Sequence, residues 1–187
     1  MTTTRPSAPW RQMIFVSPEG RQEALWVEPV TGGAYRVLSP PVWMYGISMG
    51  SLVRASEGPN GLLAFEELVT PSEGGTVRVV VAPEGLPASE LYLTRLVPAA
   101  QARGLSIGPA TFFNPRLVVI NVRKRAQWWP EVGELLDSLV RDGTIEQWEV
   151  ADPDAYAAEG RNAQSEPVGE ILMHQLPVVE ERGSSNN

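Results

Sequence analysis

The order of strand and helix patterns in residues 76–150 constrains the fold of this 187-residue chain more than any other feature. An apolar strand pattern is followed by a helical stripe, two strand patterns joined at Asn114-Pro115, a second helical stripe and a last strand pattern. This β-α-β-β-α-β order is that of the ferredoxin-like split motif. It predicts a four-stranded antiparallel sheet with two helices on one face.

Prolines mark both helical patterns. Ser89 is the expected N-cap of the first helix, and Pro98 inside that helix predicts a kink or a restart, because proline removes a backbone hydrogen bond. In the second helix Pro130 is expected in the first turn, with Gly143 as the residue that ends the helix.

Short strand patterns separated by turn residues fill residues 12–75. The predicted strands are 13–16, 24–28, 34–38, 52–55 and 62–69. Several short strands at close spacing predict a small, strongly bent sheet or partial barrel. The chain as a whole is therefore expected to be an α+β protein, with a small β-rich half at 12–75 and a ferredoxin-like half at 76–150.

The two ends of the chain have a different composition. Residues 1–11 are rich in threonine, proline and serine, and we expect a flexible leader. Residues 151–187 are expected to form an acidic, largely disordered tail. Apolar residues within 171–179 could add a strand to the body or to a partner.

Charge and cysteine content exclude several classes of function. The net charge of -7 makes nucleic acid an unlikely partner, even though Arg123-Lys124-Arg125 stands beside two tryptophans. The absence of cysteine removes disulfides, thiolate nucleophiles and Cys-containing zinc sites. No apolar run is long enough for a membrane span. We expect a cytoplasmic protein that uses no metal and no cofactor.

Several stretches together resemble a known family. They include Leu25-Trp26-Val27-Glu28-Pro29, Tyr35-Arg36-Val37, Gly50-Ser51-Leu52-Val53, Thr76-Val77-Arg78-Val79 and Ile145-Glu146-Gln147-Trp148-Glu149. The pattern is similar to that of an uncharacterised bacterial family catalogued as domain of unknown function 4265, and it spans most of residues 25–149. The resemblance implies a two-part α+β architecture and no particular activity.

The motif Gly46-Ile47-Ser48-Met49-Gly50 matches the Gly-x-Ser-x-Gly nucleophile elbow of α/β-hydrolases. An elbow joins a strand to a helix, whereas a strand pattern follows Ser48, so a loop between strands is the favoured interpretation. The single histidine, His174, lies in the predicted tail. A solvated or partner-facing residue is the ordinary case in such a tail, so a catalytic role in a serine triad is disfavoured, and one histidine cannot build a histidine-rich metal site.

Glu66 and Glu67 are adjacent on a predicted strand, so their side chains are expected on opposite faces. Whichever face is buried should then bury one carboxylate, with Arg54 or Arg78 as its counter-ion. A structural ion pair is the favoured interpretation, and a catalytic acid or base is the alternative.

Aromatic residues supply the remaining candidates. Trp43 and Tyr45 lie in a proline-rich loop, where they could plug the core or line a binding site, and Trp128 follows the basic cluster. The first hypothesis is a noncatalytic binding protein for a protein partner or small molecule, with Trp43, Tyr45, Arg54, Arg78 and Trp128 as binding candidates. The alternative is a small enzyme of bacterial specialised metabolism, with Glu66 or Glu67 as acid/base in a pocket between the two halves.

Overall fold

The computed structural model describes residues 10–17, 20–58, 61–105, 107–123 and 125–151, with the backbone alone for 125–129. The strands in this part of the chain are β1 (Arg11–Val16), β2 (Gln22–Pro29), β3 (Tyr35–Val37), β4 (Leu52–Glu57), β5 (Leu63–Thr70), β6 (Gly75–Val81), β7 (Ile107–Asn114), β8 (Leu117–Val122) and β9 (Ile145–Val150). The helices are α1 (Ala88–Leu91), a π-helical segment (Tyr92–Leu96), α2 (Val97–Ala102) and α3 (Arg125–Arg141).

Strands β1 to β5 form a closed barrel rather than the partial barrel predicted. Closure comes from a parallel pairing of β1 with β5, in which Met13 lies opposite Leu63. It protects the strand edges that an open sheet would expose. Inward side chains such as Phe15, Val27 and Val53 fill the interior.

The other four strands form one antiparallel sheet in the order β7-β8-β6-β9. One face of this sheet packs against the helices. Its core joins strand residues such as Val79 and Ile120 to helical residues such as Leu91 and Leu136. The predicted four-stranded sheet with helices on one face is therefore confirmed.

Proline shapes both helical segments. The π-helical segment ends directly before α2, whose first turn contains Pro98, so the predicted interruption is a change of helix type. Two predictions were wrong. The first helix is capped by Pro87 rather than Ser89, because α1 already begins at Ala88. The second helix begins at Arg125, which places Pro130 inside it rather than in its first turn.

The second face of the sheet is also buried. Alternation along β6 sends Val77 and Val79 to the helices, and it sends Thr76, Arg78 and Val80 to the opposite face. The loop between β3 and β4, residues 38–51, covers that face, where Ser48 bonds to Thr76 and the Met44 carbonyl bonds to Arg78. Its residue Val42 packs in one core cluster with Val80 and Val119. The layer between this sheet face and the loop also contains the buried polar residues Thr76 and Arg78, and it contains the candidate site.

The ends of the described region differ slightly from the sequence prediction. Arg11 begins β1 rather than ending a leader. Ala151 is buried, and its N–H donates a hydrogen bond to the Thr76 carbonyl on β6 at 2.8 Å. Residues 1–9 and 152–187, including His174 and the apolar runs in 171–179, lie outside the described residues. No helix in the described part of the chain is long and apolar enough to cross a membrane.

Candidate functional site

A buried ion pair lies at the centre of the layer between the sheet and the β3–β4 loop. Arg78 and Glu149 are cross-strand neighbours on β6 and β9. Arg78 Nη1 donates to Glu149 Oε1 at 2.7 Å, and the two side chains are only 2% and 7% exposed. Arg78 Nη2 donates to the Met44 carbonyl at 2.7 Å. The pair therefore holds the loop against the sheet.

Tyr45 covers this ion pair from the loop. Its hydroxyl donates to Glu149 Oε1 at 2.9 Å. Its ring lies over the Arg78 guanidinium, with 4.3 Å between the guanidinium carbon and the ring centre. Burial and the nearby Glu149 charge raise the pKa of Tyr45 to about 12. Of the predicted binding residues, Tyr45 and Arg78 are thus in direct contact.

We expect Tyr45 to make stability fall at alkaline pH. Its pKa is raised from 10.0 to about 12 in the folded protein, so the folded state keeps a proton that the unfolded state releases between these values. The free energy of unfolding should then decline as pH rises through this window. Unfolding curves at about pH 9 and about pH 11 should show a smaller decline for Tyr45→Phe than for the wild type. An equal decline in both proteins would refute the role assigned to Tyr45.

Ser48 lies inside a buried hydrogen-bond cluster rather than on a nucleophile elbow. The Thr76 hydroxyl lies 3.0 Å from the Ser48 hydroxyl. Ser51 Oγ accepts hydrogen bonds from the backbone N–H groups of Ser48 and Ser72, both at 3.2 Å. The segment that follows is strand β4, which agrees with the predicted loop between strands. These hydroxyls fasten the loop to the barrel and the sheet.

Glu66 and Glu67 are both exposed, so the expectation that one of them would be buried was wrong. The pairing of β4 with β5 shifts register at two places, between Leu52 and Val53 and between Arg54 and Ala55. Such shifts interrupt the strict alternation on which the expectation rested. Glu67 does form an ion pair with Arg54, on the barrel surface. Arg78 lies elsewhere, paired with Glu149.

A groove of about 380 Å³ opens where the barrel meets the edge of the sheet. Its walls come from β2, the β3–β4 loop and β7. The lining residues are Gln22, Glu23, Ala24, Leu25, Trp26, Ser39, Pro40, Val42, Trp43, Thr111 and Phe113. Trp43 and Phe113 meet edge to face with 5.0 Å between ring centres, and the Arg21 guanidinium lies 5.0 Å from the Trp43 ring centre.

Glu23 is the titratable residue in this lining. Its Oε2 accepts hydrogen bonds from the backbone N–H groups of Val42 at 3.0 Å and Trp43 at 2.7 Å. Its Oε1 is buried and has no hydrogen-bond partner among the described residues. Burial raises the pKa of Glu23, although the two backbone hydrogen bonds and the Arg78 charge act in the opposite direction.

Three further buried atoms without a partner in the described structure lie on the same layer. They are Arg78 Nε, Asn121 Oδ1 and Gln147 Nε2. Pairing places Asn121 opposite Thr76 and Gln147 opposite Val80, so all three side chains share the sheet face that the loop covers. Polar groups with unused bonding capacity are thus concentrated between the two halves.

Glu23 and Glu149 were not among the site residues predicted from the sequence. Strand parity could have found Glu23, because it alternates with the buried Leu25 and Val27 on β2. The predicted strand began one residue too late to include it. Of the other candidates, Trp43 lines the groove, Arg54 lies on the outer barrel surface, and the Trp128 side chain lies outside the described structure.

Among the described residues, no three histidine, aspartate or glutamate side chains converge as a metal-ligand set. The ionisable groups of the layer are instead used in pairing and in fastening the loop. The groove offers aromatic walls and a carboxylate with one oxygen that is unpaired among the described residues.

Comparison with known proteins supports the fold and the family. No curated protein matches the chain significantly. A crystal structure of a hypothetical protein from Neisseria gonorrhoeae is similar, with a TM-score of 0.55 and 14% identity over 76% of this chain and 93% of that chain. The model of the family described as domain of unknown function (DUF4265) matches residues 23–147, which include the groove lining except Gln22 and include Arg78 of the buried ion pair, whereas Glu149 lies just beyond the match. This chain therefore belongs to the DUF4265 family.

Proposed function

We propose that this protein is a noncatalytic binding protein that holds a small molecule in the groove between the barrel and the sheet. The observation that carries the proposal is the lining of this groove. It combines aromatic walls with the Glu23 carboxylate, one oxygen of which has no hydrogen-bond partner among the described residues. Small-molecule sites are typically concave and apolar, with a few polar groups that fix the ligand's orientation. The volume of about 380 Å³ lies within the usual range for such sites.

The walls of the groove are built to stay in place. Trp43 is half-buried and packs against the core cluster that contains Val42, Val80 and Val119. The backbone of Val42 and Trp43 is fixed by the Glu23 carboxylate. A preformed wall reduces the ordering cost of binding. These contacts favour a ligand with a flat apolar body that can stack beside Trp43 and Phe113.

Noncatalytic binding is favoured over the enzymatic alternative by the chemistry of the lining. Glu23 is the one titratable side chain among the described lining residues, and its Oε2 already binds two backbone N–H groups. General acid/base chemistry usually needs a free group within reach of the reacting proton. Glu66 and Glu67, the carboxylates of the enzymatic hypothesis, do not line the groove.

Substitution of Phe113 tests the proposal with indole as an uncharged aromatic probe. Phe113→Ala should weaken indole binding about fivefold or more, because it removes one aromatic wall. Phe112→Ala is the matched control. Phe112 is the neighbouring residue on β7, is 44% exposed against 42% for Phe113, and contacts Tyr92 instead of the groove. Calorimetric or NMR titration measures both affinities. No indole binding by the wild type, or equal effects of the two substitutions, would overturn the proposed site.

We also infer that residues 75–150 form a ferredoxin-like half. The β-α-β-β-α-β order, the strand order β7-β8-β6-β9 and the placement of helices on one face support this inference. A bacterial origin and a cytoplasmic location are proposed as well. The bacterial source of the similar crystal structure supports the first, and the absence of cysteine supports the second.

A further inference from the structure

We propose that the groove selects aromatic ligands that carry a protonated amine, with the Glu23 carboxylate as the group that binds the amine. This inference rests on the proposed function, since it names the class of ligand for the same groove. Three features of the described residues support it: the unused oxygen of Glu23, the cation already present on Trp43, and the charges around the groove.

The first feature is the Glu23 carboxylate oxygen that has no hydrogen-bond partner among the described residues. Glu23 Oε2 accepts two backbone hydrogen bonds, while Oε1 is buried without a partner in the described structure. A buried acceptor that lacks a donor destabilises the protein. Glu23 lines the groove, so a donor that enters the groove and bonds to Oε1 would offset this cost. A charged donor would form the strongest hydrogen bond to this oxygen, because charge-assisted hydrogen bonds are stronger than neutral ones.

The second feature is the face of Trp43. The guanidinium of Arg21 already lies 5.0 Å from the centre of this ring. The aromatic wall of the groove is therefore compatible with a positive charge, as expected from the negative potential at the face of an indole ring. An ammonium group that takes the place of Arg21 at this ring would gain the same attraction and would lie on the lining that also contains Glu23.

Glu23 is the one ionisable side chain among the described lining residues, and its carboxylate favours a cation over an anion. The nearby Arg78 is paired with Glu149 at 2.7 Å, which offsets its positive charge in part, although this charge still acts to lower the pKa of Glu23. An aromatic carboxylate would bring a second negative charge to a partly desolvated glutamate, which is unfavourable at low local dielectric. The chain as a whole carries a net charge of -7, which also favours the approach of cations.

Three probes with the same indole body separate these contributions. They are tryptamine, which carries an ammonium group, uncharged indole, and indole-3-acetate, which carries a carboxylate. The wild-type full chain should bind tryptamine about tenfold more tightly than indole, as expected for a hydrogen bond to a charged group. It should bind indole-3-acetate most weakly. Isothermal titration at neutral pH measures the three affinities.

Glu23→Gln is the decisive variant, because its amide oxygen can still accept the Val42 and Trp43 N–H groups. It should abolish the preference for tryptamine and leave indole binding within about twofold of the wild type. Glu134→Gln is the matched control, since Glu134 is an exposed residue on α3 and its substitution changes the net charge equally. This control should keep the preference.

The outcomes distinguish the two proposals. If the wild type binds indole without preferring tryptamine, the ligand class is wrong and the groove remains a binding site. The ligand class is also wrong if Glu23→Gln keeps the preference, or if Glu134→Gln loses it equally. If the wild type binds none of the three probes, the proposed function and the ligand class both fail. Retained indole binding by Glu23→Gln shows that the variant is folded.

Discussion

Replacing Glu149 with glutamine should lower the free energy of unfolding by about 3–5 kcal/mol, the range for breaking a buried ion pair from one side. Arg78 is 2% exposed and would keep its charge without an anionic partner. Chemical denaturation followed by tryptophan fluorescence measures the loss. Because a domain of this size is stable by only about 5–15 kcal/mol, the substitution should shift the midpoint strongly.

Glu67→Gln is the control for this prediction. Glu67 also pairs with an arginine on the neighbouring strand, but both partners are more than half exposed. Exposed ion pairs contribute about 0–1 kcal/mol, so this change should have little effect. The double substitution Arg78→Met with Glu149→Leu should recover much of the lost stability, because it removes both charges together. Equal losses for Glu149→Gln and Glu67→Gln would show that the buried pair contributes no more to stability than an exposed pair does.

Phe15→Ala should destabilise the protein by about 3–5 kcal/mol, as expected for removing a large aromatic side chain from a core. Phe15 is 0% exposed on β1 and stacks on Phe65 with 4.9 Å between ring centres. The barrel surrounds this position with strands whose pairing fixes the backbone, so the cavity cannot close easily. Denaturation monitored by near-UV circular dichroism measures the change.

Val16→Ala provides the comparison within the same strand. Val16 follows Phe15, points to the opposite face and is 50% exposed. Its truncation should change the free energy of unfolding by no more than about 0.5 kcal/mol. A small effect of Phe15→Ala, similar to that of Val16→Ala, would mean that the barrel core contributes little to the stability of the whole chain.

Much of the fold was already determined by local features of the sequence. Alternating strand patterns and the order of elements predicted the four-stranded sheet with helices on one face, because each face of a strand or helix must bury its apolar side. Pro98 predicted the interruption of the first helix, since proline cannot donate the backbone hydrogen bond. The spacing of the first strands predicted a bent sheet.

The candidate site depended on contacts that local patterns do not encode. Tyr45 and Arg78 were predicted as binding residues, yet the partner of Arg78 is Glu149, 71 positions away, rather than Glu66 or Glu67. Cross-strand partners follow from register, and register between distant strands is fixed only when the sheet assembles. Register shifts between β4 and β5 likewise left Glu66 and Glu67 exposed, although one of them was expected to be buried.

Closure of the barrel and creation of the groove were also decided by the tertiary structure. The parallel pairing of β1 with β5 joins segments about 50 residues apart, and no local pattern marks two strands as neighbours. The role of Glu23 depends on both the local sequence pattern and the tertiary structure. Its place beside Leu25 and Val27 was readable from strand parity, whereas its use as the anchor for Val42 and Trp43 exists only because the β3–β4 loop folds back over β2. The sequence by itself determined which faces must be buried, because hydrophobic burial is non-directional. The tertiary structure decided which polar groups meet between those faces, because hydrogen bonds require exact placement.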